Sequence, residues 1–545
     1  MHRNHDTRHE RDNCIVCLIT DRLIHGIPPE EIRRAIGKLD AKIARNPEDG
    51  PSFMARGLLH KRLGDDWAAV EDFGKAIALE PENVEAYHNR ARTRRDLGDH
   101  SLAKEDFNTI ISLNPEDAVA HYGRGTCLGR LGDLERAIAD YDTAIGLDPT
   151  DPIPFFDRGC TRNELDDLAG AMEDFDRAIA LDPGRSIFYH CRGSVHKDVG
   201  EFEQAIEDFN AAIELEPLNN LSRRTRGVTR MLMGDCDAAL EDLDAVLDLD
   251  PDNAGALCDR GLALGTMGRY DQAIGDYERS LHLDPDNPDA IAGKGLAYDG
   301  QERYEMAIQE FTRAIKLDPS SAQFLYHRGM THGNLEAWEK ASDDFDAALA
   351  IEPDHGPALM GRGFAVLNQC RYEEALSDFN RLAKIFPLNS DVYFGRACAG
   401  VNLGDPRQAL KDFTRSINLD PEHSYSLLNR GATYLNEDEP EKAIRDFDRL
   451  IGLEPDNPDA HLYRGRALAC LEQYEAAIDY FNLAIQLDPE EAEGYYAKGM
   501  AHMELGDYPT AIEDLEQAIR LDLHHPYAEC GLETASQLAK GKGVV

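Results

Sequence analysis

Cys14 and Cys17 form the one Cys-x-x-Cys pair of this sequence, and His2, His5 and His9 lie shortly before it. Thiolates and imidazoles are the usual ligands of a structural zinc ion, which needs four well-placed ligands. A single pair without a second one is weak evidence for such a site. We therefore expect no bound metal or other cofactor, while the residues alone leave zinc binding by this segment open.

A short acidic run, Asp248, Asp250 and Asp252, is similar to the beginning of a calcium-binding loop. Pro251 interrupts the run and Asn253 stands where the loop needs glycine, so we reject a calcium site. The sequence also lacks the GxxxxGK[ST], HExxH and GxSxG motifs and the kinase signature set. It therefore predicts a protein that is not an enzyme.

Two columns of opposite charge are the most regular pattern that could bind a ligand. A basic residue recurs every 34 residues, at Arg56, Arg90, Arg124, Arg158, Arg192, Arg226, Arg260, Lys294, Arg328, Arg362, Arg396, Arg430, Arg464 and Lys498. An acid recurs with the same period, at Asp72, Asp106, Asp140, Asp174, Asp208, Asp242, Asp276, Glu310, Asp344, Asp378, Asp412, Asp446 and Asp514, and only Tyr480 breaks this second column. The columns predict either a charged track for a ligand or a ladder of ion pairs.

We favour the ladder, because columns repeated in every unit specify a scaffold, whereas a binding site is local. A planar guanidinium suits a bidentate contact with a carboxylate. The pairs would join the two helices of a unit or neighbouring units. In the middle of the array, Arg328, Asp344, Arg362 and Asp378 are the residues expected to form such structural ion pairs.

Uncharged columns share this period and indicate helix pairs. In residues 186–219, Ala205, Phe209, Ala212 and Ile213 follow the spacing of an amphipathic helix. Pro217 then ends that helix, since proline supplies no helical N–H. Proline recurs in this column fourteen times without insertion or deletion, from Pro47 to Pro489. One helix pair buries too little surface to fold alone, so the units must stack.

The period, the helix pairing and the columns of glycine, alanine, aromatic residue and proline resemble the tetratricopeptide repeat. The resemblance implies an all-α, right-handed superhelical solenoid of stacked antiparallel helix pairs. It covers residues 50–525 in fourteen units, which span 50–83, 84–117, 118–151, 152–185, 186–219, 220–253, 254–287, 288–321, 322–355, 356–389, 390–423, 424–457, 458–491 and 492–525.

The two ends depart from the repeat pattern. Residues 14–49 are predicted to form a degenerate leading repeat, and 526–540 a C-terminal capping helix that Pro526 opens. Residues 1–13 and 541–545 are predicted to be a disordered leader and tail.

Charge narrows the range of partners. Asp and Glu number 102 against 58 Lys and Arg, so the formal net charge is −44. Such a surface repels phosphate backbones, although a local basic patch is compatible with it. No apolar run is long enough to span a bilayer. We expect a cytoplasmic protein that binds neither nucleic acid nor membrane.

The resemblance also implies that the first helix of each unit lines the concave surface, where ligands of this family lie. In the first half of the chain the residues expected there are often basic, at Lys61, His88, Arg92, Arg95, His190, Lys197 and Arg224. In the second half they are apolar, and the candidate peptide-binding residues are Tyr326, Met330, Met360, Phe364, Phe394 and Leu428. The alternative is that these apolar side chains belong partly to the core.

Four asparagines stand one repeat apart in the second half of the chain, at Asn334, Asn368, Asn402 and Asn436. A ladder of amides could hold a peptide main chain, because each amide offers a donor and an acceptor. Alternatively, the asparagines only terminate the first helices. We therefore predict a non-catalytic scaffold that binds a peptide or protein in its groove, with a self-associating structural scaffold as the alternative.

Overall fold

The computed structural model describes residues 28–541, which form 30 α-helices and no β-strand. The chain divides into two compact units, Met1–Met267 and Gly268–Val545, called here the N-terminal and C-terminal units. The described helices of the N-terminal unit are α1 Pro29–Arg45, α2 Gly50–Arg62, α3 Asp66–Leu79, α4 Val84–Asp96, α5 His100–Leu113, α6 Ala118–Arg130, α7 Leu134–Leu147, α8 Pro152–Glu164, α9 Leu168–Leu181, α10 Ser186–Asp198, α11 Phe202–Leu215, α12 Asn220–Leu232, α13 Cys236–Leu249 and α14 Ala254–Thr266.

The C-terminal unit continues the same alternation of helices. Its described helices are α15 Tyr270–Leu283, α16 Pro288–Gly300, α17 Tyr304–Leu317, α18 Ala322–Asn334, α19 Trp338–Ile351, α20 Gly356–Asn368, α21 Tyr372–Ile385, α22 Ser390–Asn402, α23 Pro406–Leu419, α24 Ser424–Asn436, α25 Pro440–Leu453, α26 Pro458–Cys470, α27 Tyr474–Leu487, α28 Ala492–Leu505, α29 Tyr508–Leu521 and α30 Ala528–Gly541. The predicted all-α fold of paired helices is confirmed. Among the described helices, none is long and apolar enough to cross a membrane.

Local chemistry sets the helix ends. The first helices begin at capping side chains such as Asn83, whose Oδ1 accepts the backbone N–H of Ala86 at 3.0 Å. The turn into the second helix needs a positive φ, which Gly98 adopts at 82° and which Asp166 adopts at 63°. A non-glycine residue pays a conformational cost there, so the turn geometry is imposed by packing of the two helices.

The small-residue column lets the two helices of a repeat approach closely. A Cβ added to Gly329 on α18 would lie 2.8 Å from the ring of Phe345 on α19. Phe345 is itself almost fully buried, and Ala341 and Ala348 flank it. The glycine therefore makes room for the aromatic side chain that fills the space between the two helices.

The first and second helices differ in how they meet the next repeat. Within each unit, first helices of successive repeats contact each other, as α18 and α20 do, whereas described second helices show no comparable contact. The first helices are therefore the more closely spaced layer, and their outward side is called here the first-helix face.

Most ladder arginines join three helices. Arg328 on α18 donates from Nε and Nη2 to the two oxygens of Asp344 on α19, at 2.9 and 2.6 Å. Its Nη1 donates to Thr312 on α17 of the preceding repeat, at 3.1 Å. Arg362 repeats the arrangement with Asp378, at 2.8 and 2.6 Å, and with Asp346. The pairing within a unit and the pairing across neighbours therefore occur together.

Tyr480 is the exception in the acid column, and the arginine of its repeat makes a different contact there. Where Tyr480 replaces the acid, the guanidinium of Arg464 lies 4.0 Å from the centroid of the Tyr480 ring. Arg464 also donates to Asp448 on the preceding second helix. A cation–π contact thus replaces the bidentate carboxylate contact in this repeat.

The described ends carry single helices. Ile32 and Leu39 of α1 pack against Ala55 and Leu59 of α2. The last helix runs Ala528–Gly541 and not from Pro526 to residue 540, because the ring Nδ1 of His525 accepts the N–H of Ala528 at 3.1 Å and so places the helix start. Residues 1–27, which include the Cys14 and Cys17 segment, and residues 542–545 lie outside the described part of the chain.

A half-buried histidine, His327, stands at the contact between α17 and α18. The ring of His327 stacks on Phe311, with centroids 5.8 Å apart. Its Nε2 lies 2.8 Å from the amide nitrogen of Gln323. Burial, together with repulsion from nearby His355, lowers the pKa of His327 to about 4. The ring is therefore neutral in the folded protein near neutral pH.

The ion-pair ladder predicts a large and local effect of Asp344→Ala. Asp344 is 6% exposed, so the substitution leaves the half-buried guanidinium of Arg328 without its carboxylate partner. We expect a loss of roughly 3 kcal/mol in local stability, because removing one partner leaves the other uncompensated. Hydrogen exchange of the α18 and α19 amides measures this loss. Glu339→Ala on the exposed side of α19 is the control and should cost at most about 0.5 kcal/mol; equal small effects would show that the column is merely solvated charge.

His327 predicts a pH dependence of stability. Its folded-state pKa lies below the unfolded value of about 6.5, so the neutral ring stabilises the fold above that pH. This contribution is lost as the pH falls from about 6.5 towards 4. The urea midpoint should therefore fall less between these pH values in His327→Asn than in the wild type, and His282→Asn on the exposed side of α15 should behave like the wild type. Parallel pH profiles for all three proteins would contradict the assignment.

Candidate peptide-binding face

The six apolar candidate residues lie on four successive first helices of the C-terminal unit. Tyr326 and Met330 lie on α18, Met360 and Phe364 on α20, Phe394 on α22 and Leu428 on α24. Met330 is 40% exposed, and the other five are half-buried. The five half-buried side chains also pack against the core. The set, called here the apolar row, is therefore both core and surface, so the two explanations of these residues are not exclusive.

Aromatic contacts connect the first helices of the row from α20 to α24. The ring of Phe364 lies 5.1 Å from that of Phe379 in the core column and 6.4 Å from that of Phe394. Phe394 in turn lies 6.1 Å from Tyr425, whose side chain is 69% exposed. Such offset and tilted pairs add stability beyond the area they bury, so they stabilise the packing of neighbouring first helices along the row.

A cavity of about 310 Å³ opens in the row between the repeats of α18 and α20. Its lining is mostly apolar, and the residues are Tyr326, Gly329, Met330, Gly333, Asn334, Trp338, Ala341, Phe345, Pro357, Met360, Gly361, Phe364 and Ala365. An engineered apolar cavity of about half this volume binds benzene. This cavity is therefore large enough for one bulky side chain of a partner.

Gly333 is the reason for the open space. The next three repeats carry Leu367, Val401 and Leu435 in the same column. A Cβ added to Gly333 would meet only the ring of Trp338, at 3.7 Å. A side chain of the size found in the following repeats would thus occupy the cavity that the glycine leaves empty.

Two histidines that the sequence did not single out border the row. His355 and His423 cap α20 and α24, since their Nδ1 atoms accept the N–H groups of Ala358 at 3.0 Å and Ser426 at 3.1 Å. The ring of His355 lies 5.5 Å from that of Tyr326, and His423 lies 5.2 Å from Phe394. Most other repeats carry asparagine or aspartate at these two positions. The change to histidine is the feature of the sequence that could have indicated them.

The four asparagines stand at the last residue of their first helices and are exposed. Asn368 donates from its amide to the carbonyl of Phe364, and Asn402 to that of Cys398, both at 2.9 Å. Each of these two amides therefore uses a donor for a hydrogen bond within its own helix. Asn334 lines the cavity, so one member of the column is joined directly to the apolar row.

The ladder residues lie apart from this cavity. None of Arg328, Asp344, Arg362 and Asp378 lines it, because their charged groups are directed at each other between helices. Around the row, the first-helix face instead carries acids. They stand in the repeat columns of the row residues or in columns next to them, at Asp289, Asp299, Asp391, Asp459, Glu493 and Glu504. Arg466 is a basic exception in these columns. Apart from Asp391 on α22, these acids lie on α16, α26 and α28, beyond the two ends of the apolar row.

Comparison with solved structures gives helical repeat proteins. The structure of the APC/C hetero-tetramer Cut9–Hcn1 has 16% sequence identity and a TM-score of 0.49, over 89% of this chain and 96% of that chain. Yeast Tom70 has 16% identity and a TM-score of 0.36, over 78% of this chain and 96% of its own. YrrB, described as a TPR protein with an unusual peptide-binding site, has 23% identity and a TM-score of 0.28, over 33% of this chain and 92% of its own.

Sequence comparison identifies the repeat itself. No curated protein sequence matches the chain. A family model of the tetratricopeptide repeat matches residues 88–152, 192–254, 224–288, 258–322, 292–337, 326–390 and 428–492, and two further models of this repeat match 390–423 and 492–525. Since these matches cover more than half of the chain, and the described residues form the corresponding helix pairs, the protein belongs to the tetratricopeptide repeat family.

Proposed function

We propose that the protein is a non-catalytic interaction scaffold that binds a segment of a partner protein along the first-helix face of the C-terminal unit, from α18 to α24. The observation that carries this proposal is the apolar row. Core packing already uses the alanine and aromatic columns, yet the row adds large side chains and borders an open cavity of about 310 Å³. Methionine and aromatic side chains in such a place are typical of adaptable binding surfaces.

The spacing of the helices favours an extended segment. Packed helices lie about 8–10 Å apart, and an extended chain rises about 3.3 Å per residue. About three partner residues would therefore cross each repeat. Burial of apolar side chains in the row would supply most of the affinity, at about 25 cal/mol per Å². The asparagine amides would add main-chain hydrogen bonds of about 0.5–1.5 kcal/mol each.

Charge favours a cationic partner segment. The chain carries a formal net charge of −44, and Asp391 and Asp459 are exposed on the first-helix face on either side of Leu428. A segment that alternates apolar and basic residues would direct its apolar side chains into the row, since alternate side chains of an extended chain point to opposite sides. The basic side chains would then face the acids of the rim and the solvent.

The cavity predicts that Gly333→Leu weakens binding of such a segment. The probe is a rhodamine-labelled peptide, N-acetyl-Lys-Phe-Lys-Leu-Lys-Phe-amide, and the measurement is fluorescence anisotropy. We expect at least a tenfold rise in the dissociation constant, because leucine fills the space that a partner side chain needs. Gly129→Leu is the matched control, since Gly129 holds the same repeat position on α6 and gains the same helix propensity.

Several outcomes would count against the site. An equal effect of Gly333→Leu and Gly129→Leu would remove the cavity from the proposal. Equal binding of the corresponding peptide with glutamate in place of lysine would remove the charge argument. If light scattering over a dilution series showed a dimer that Gly333→Leu dissociates, the occupant would be a second copy of the chain and the alternative of a self-associating scaffold would hold.

The asparagine column has its own prediction. The variant with Asn334, Asn368, Asn402 and Asn436 all changed to alanine should bind the same lysine-containing peptide at least tenfold more weakly, with an unchanged thermal midpoint. The control makes the same change to alanine at four exposed glutamates on second helices, Glu339, Glu373, Glu441 and Glu475. A lower thermal midpoint with unchanged affinity would show that the asparagines only terminate helices.

A further inference from the structure

We propose that the first-helix face of the N-terminal unit binds an acidic segment of a partner protein through Arg92, Arg95 and Arg130, called here the arginine patch. This surface is separate from the apolar row and does not depend on the function proposed for it. The patch is distinctive because the chain as a whole is strongly acidic, and because nearly all other arginines on the first helices have hydrogen-bond or ion-pair partners.

The pairing of arginines on the first helices isolates the patch. In the described first helices, hydrogen-bond or ion-pair partners are present for every arginine except Arg62, Arg92, Arg95 and Arg130. All four exceptions lie on α2, α4 and α6, which are neighbouring first helices. In contrast, Lys61 on the same face is paired with Asp96 at 2.6 Å.

The patch occupies the positions that form the candidate site of the other unit. Counting by repeats, Arg92 stands in the column of Met330 and Arg95 in that of Gly333. Arg130 stands in the column of the asparagines. The same backbone positions therefore present cations in the N-terminal unit and apolar or amide groups in the C-terminal unit.

The carboxyl group of Asp157 lies within electrostatic reach of two of the three guanidinium groups. Arg95 and Arg130 both lower the pKa of Asp157, although burial of that carboxyl raises its pKa on balance. Asp157 accepts a hydrogen bond from the hydroxyl of Tyr122, at 2.7 Å, and from neither arginine. Neither arginine therefore uses its donors on this carboxylate, and both keep them available for a ligand.

The chemistry of the patch specifies a carboxylate ligand. Arginine presents a planar set of donors that fits carboxylates in a bidentate manner. The patch lies on two neighbouring first helices, which are about 8–10 Å apart, a distance that an extended segment of about three residues spans. The net charge of −44 repels the long phosphate backbone of a nucleic acid more than it repels such a short segment. An acidic protein segment is therefore the occupant that fits.

The test uses the full-length protein and a rhodamine-labelled hexaglutamate peptide. Fluorescence anisotropy at low ionic strength should show binding, and about 0.15 M salt should weaken it, because screening acts on exposed charges. We expect R92A/R95A/R130A to lose at least tenfold in affinity. The control R34A/K38A/K75A removes three exposed positive charges from second helices of the same unit and should change the affinity less than twofold. Circular dichroism verifies that both variants fold.

Defined results would overturn the proposal. Equal losses in the two variants would mean that the peptide responds only to net charge. Tighter, patch-dependent binding of decathymidylate than of hexaglutamate would assign the patch to nucleic acid. A wild-type dimer that R92A/R95A/R130A dissociates would assign it to a second copy of the chain. Gly333→Leu should leave hexaglutamate binding unchanged, so that failure at one unit is distinguishable from failure at the other.

Discussion

The arginine–aspartate pair between the two helices of a repeat is the interaction on which the rest of the structure depends. Arg362 holds both oxygens of Asp378 within its own repeat and reaches Asp346 of the repeat before it. One guanidinium thereby fixes the rotation of a first helix relative to two second helices. With that rotation fixed, the residues between the ladder positions are directed to the first-helix face, and their chemistry is free to differ from repeat to repeat.

This separation explains why the two units present different faces on one scaffold. The columns that pack or pair hold nearly the same residues throughout, whereas the first-helix columns change from Arg92 and Arg95 in the N-terminal unit to Met330 and Gly333 in the C-terminal unit. Substitution on the face costs little, because exposed positions contribute little to stability. Recognition is therefore encoded in a few columns that folding constrains less than it constrains the core and ladder columns.

Periodicity made the helices, the core columns and the ladder predictable from sequence, because each depends on contacts at a fixed separation along the chain. The ladder illustrates its limit, since the sequence allowed pairing within a repeat or across repeats and the structure contains both. The cavity was not predictable, because it results from the absence of a side chain at Gly333 beside Trp338, which α19 brings to it. Similarly, Lys61 and Arg95 are basic residues at the same position of successive repeats. Only the structure shows that Asp96 neutralises Lys61.

The same contact distances have a consequence for how such a chain can change in length. Most ladder arginines contact a residue sixteen positions ahead and another sixteen positions behind, as Arg362 does with Asp378 and Asp346. Gain or loss of 34 residues at any point restores every one of these separations, whereas a smaller insertion in a helix between two paired residues changes the separation of that pair. Duplication or deletion of whole repeats is therefore the change in length that the scaffold tolerates, and each duplicated repeat supplies a new copy of the face on which a different specificity can evolve.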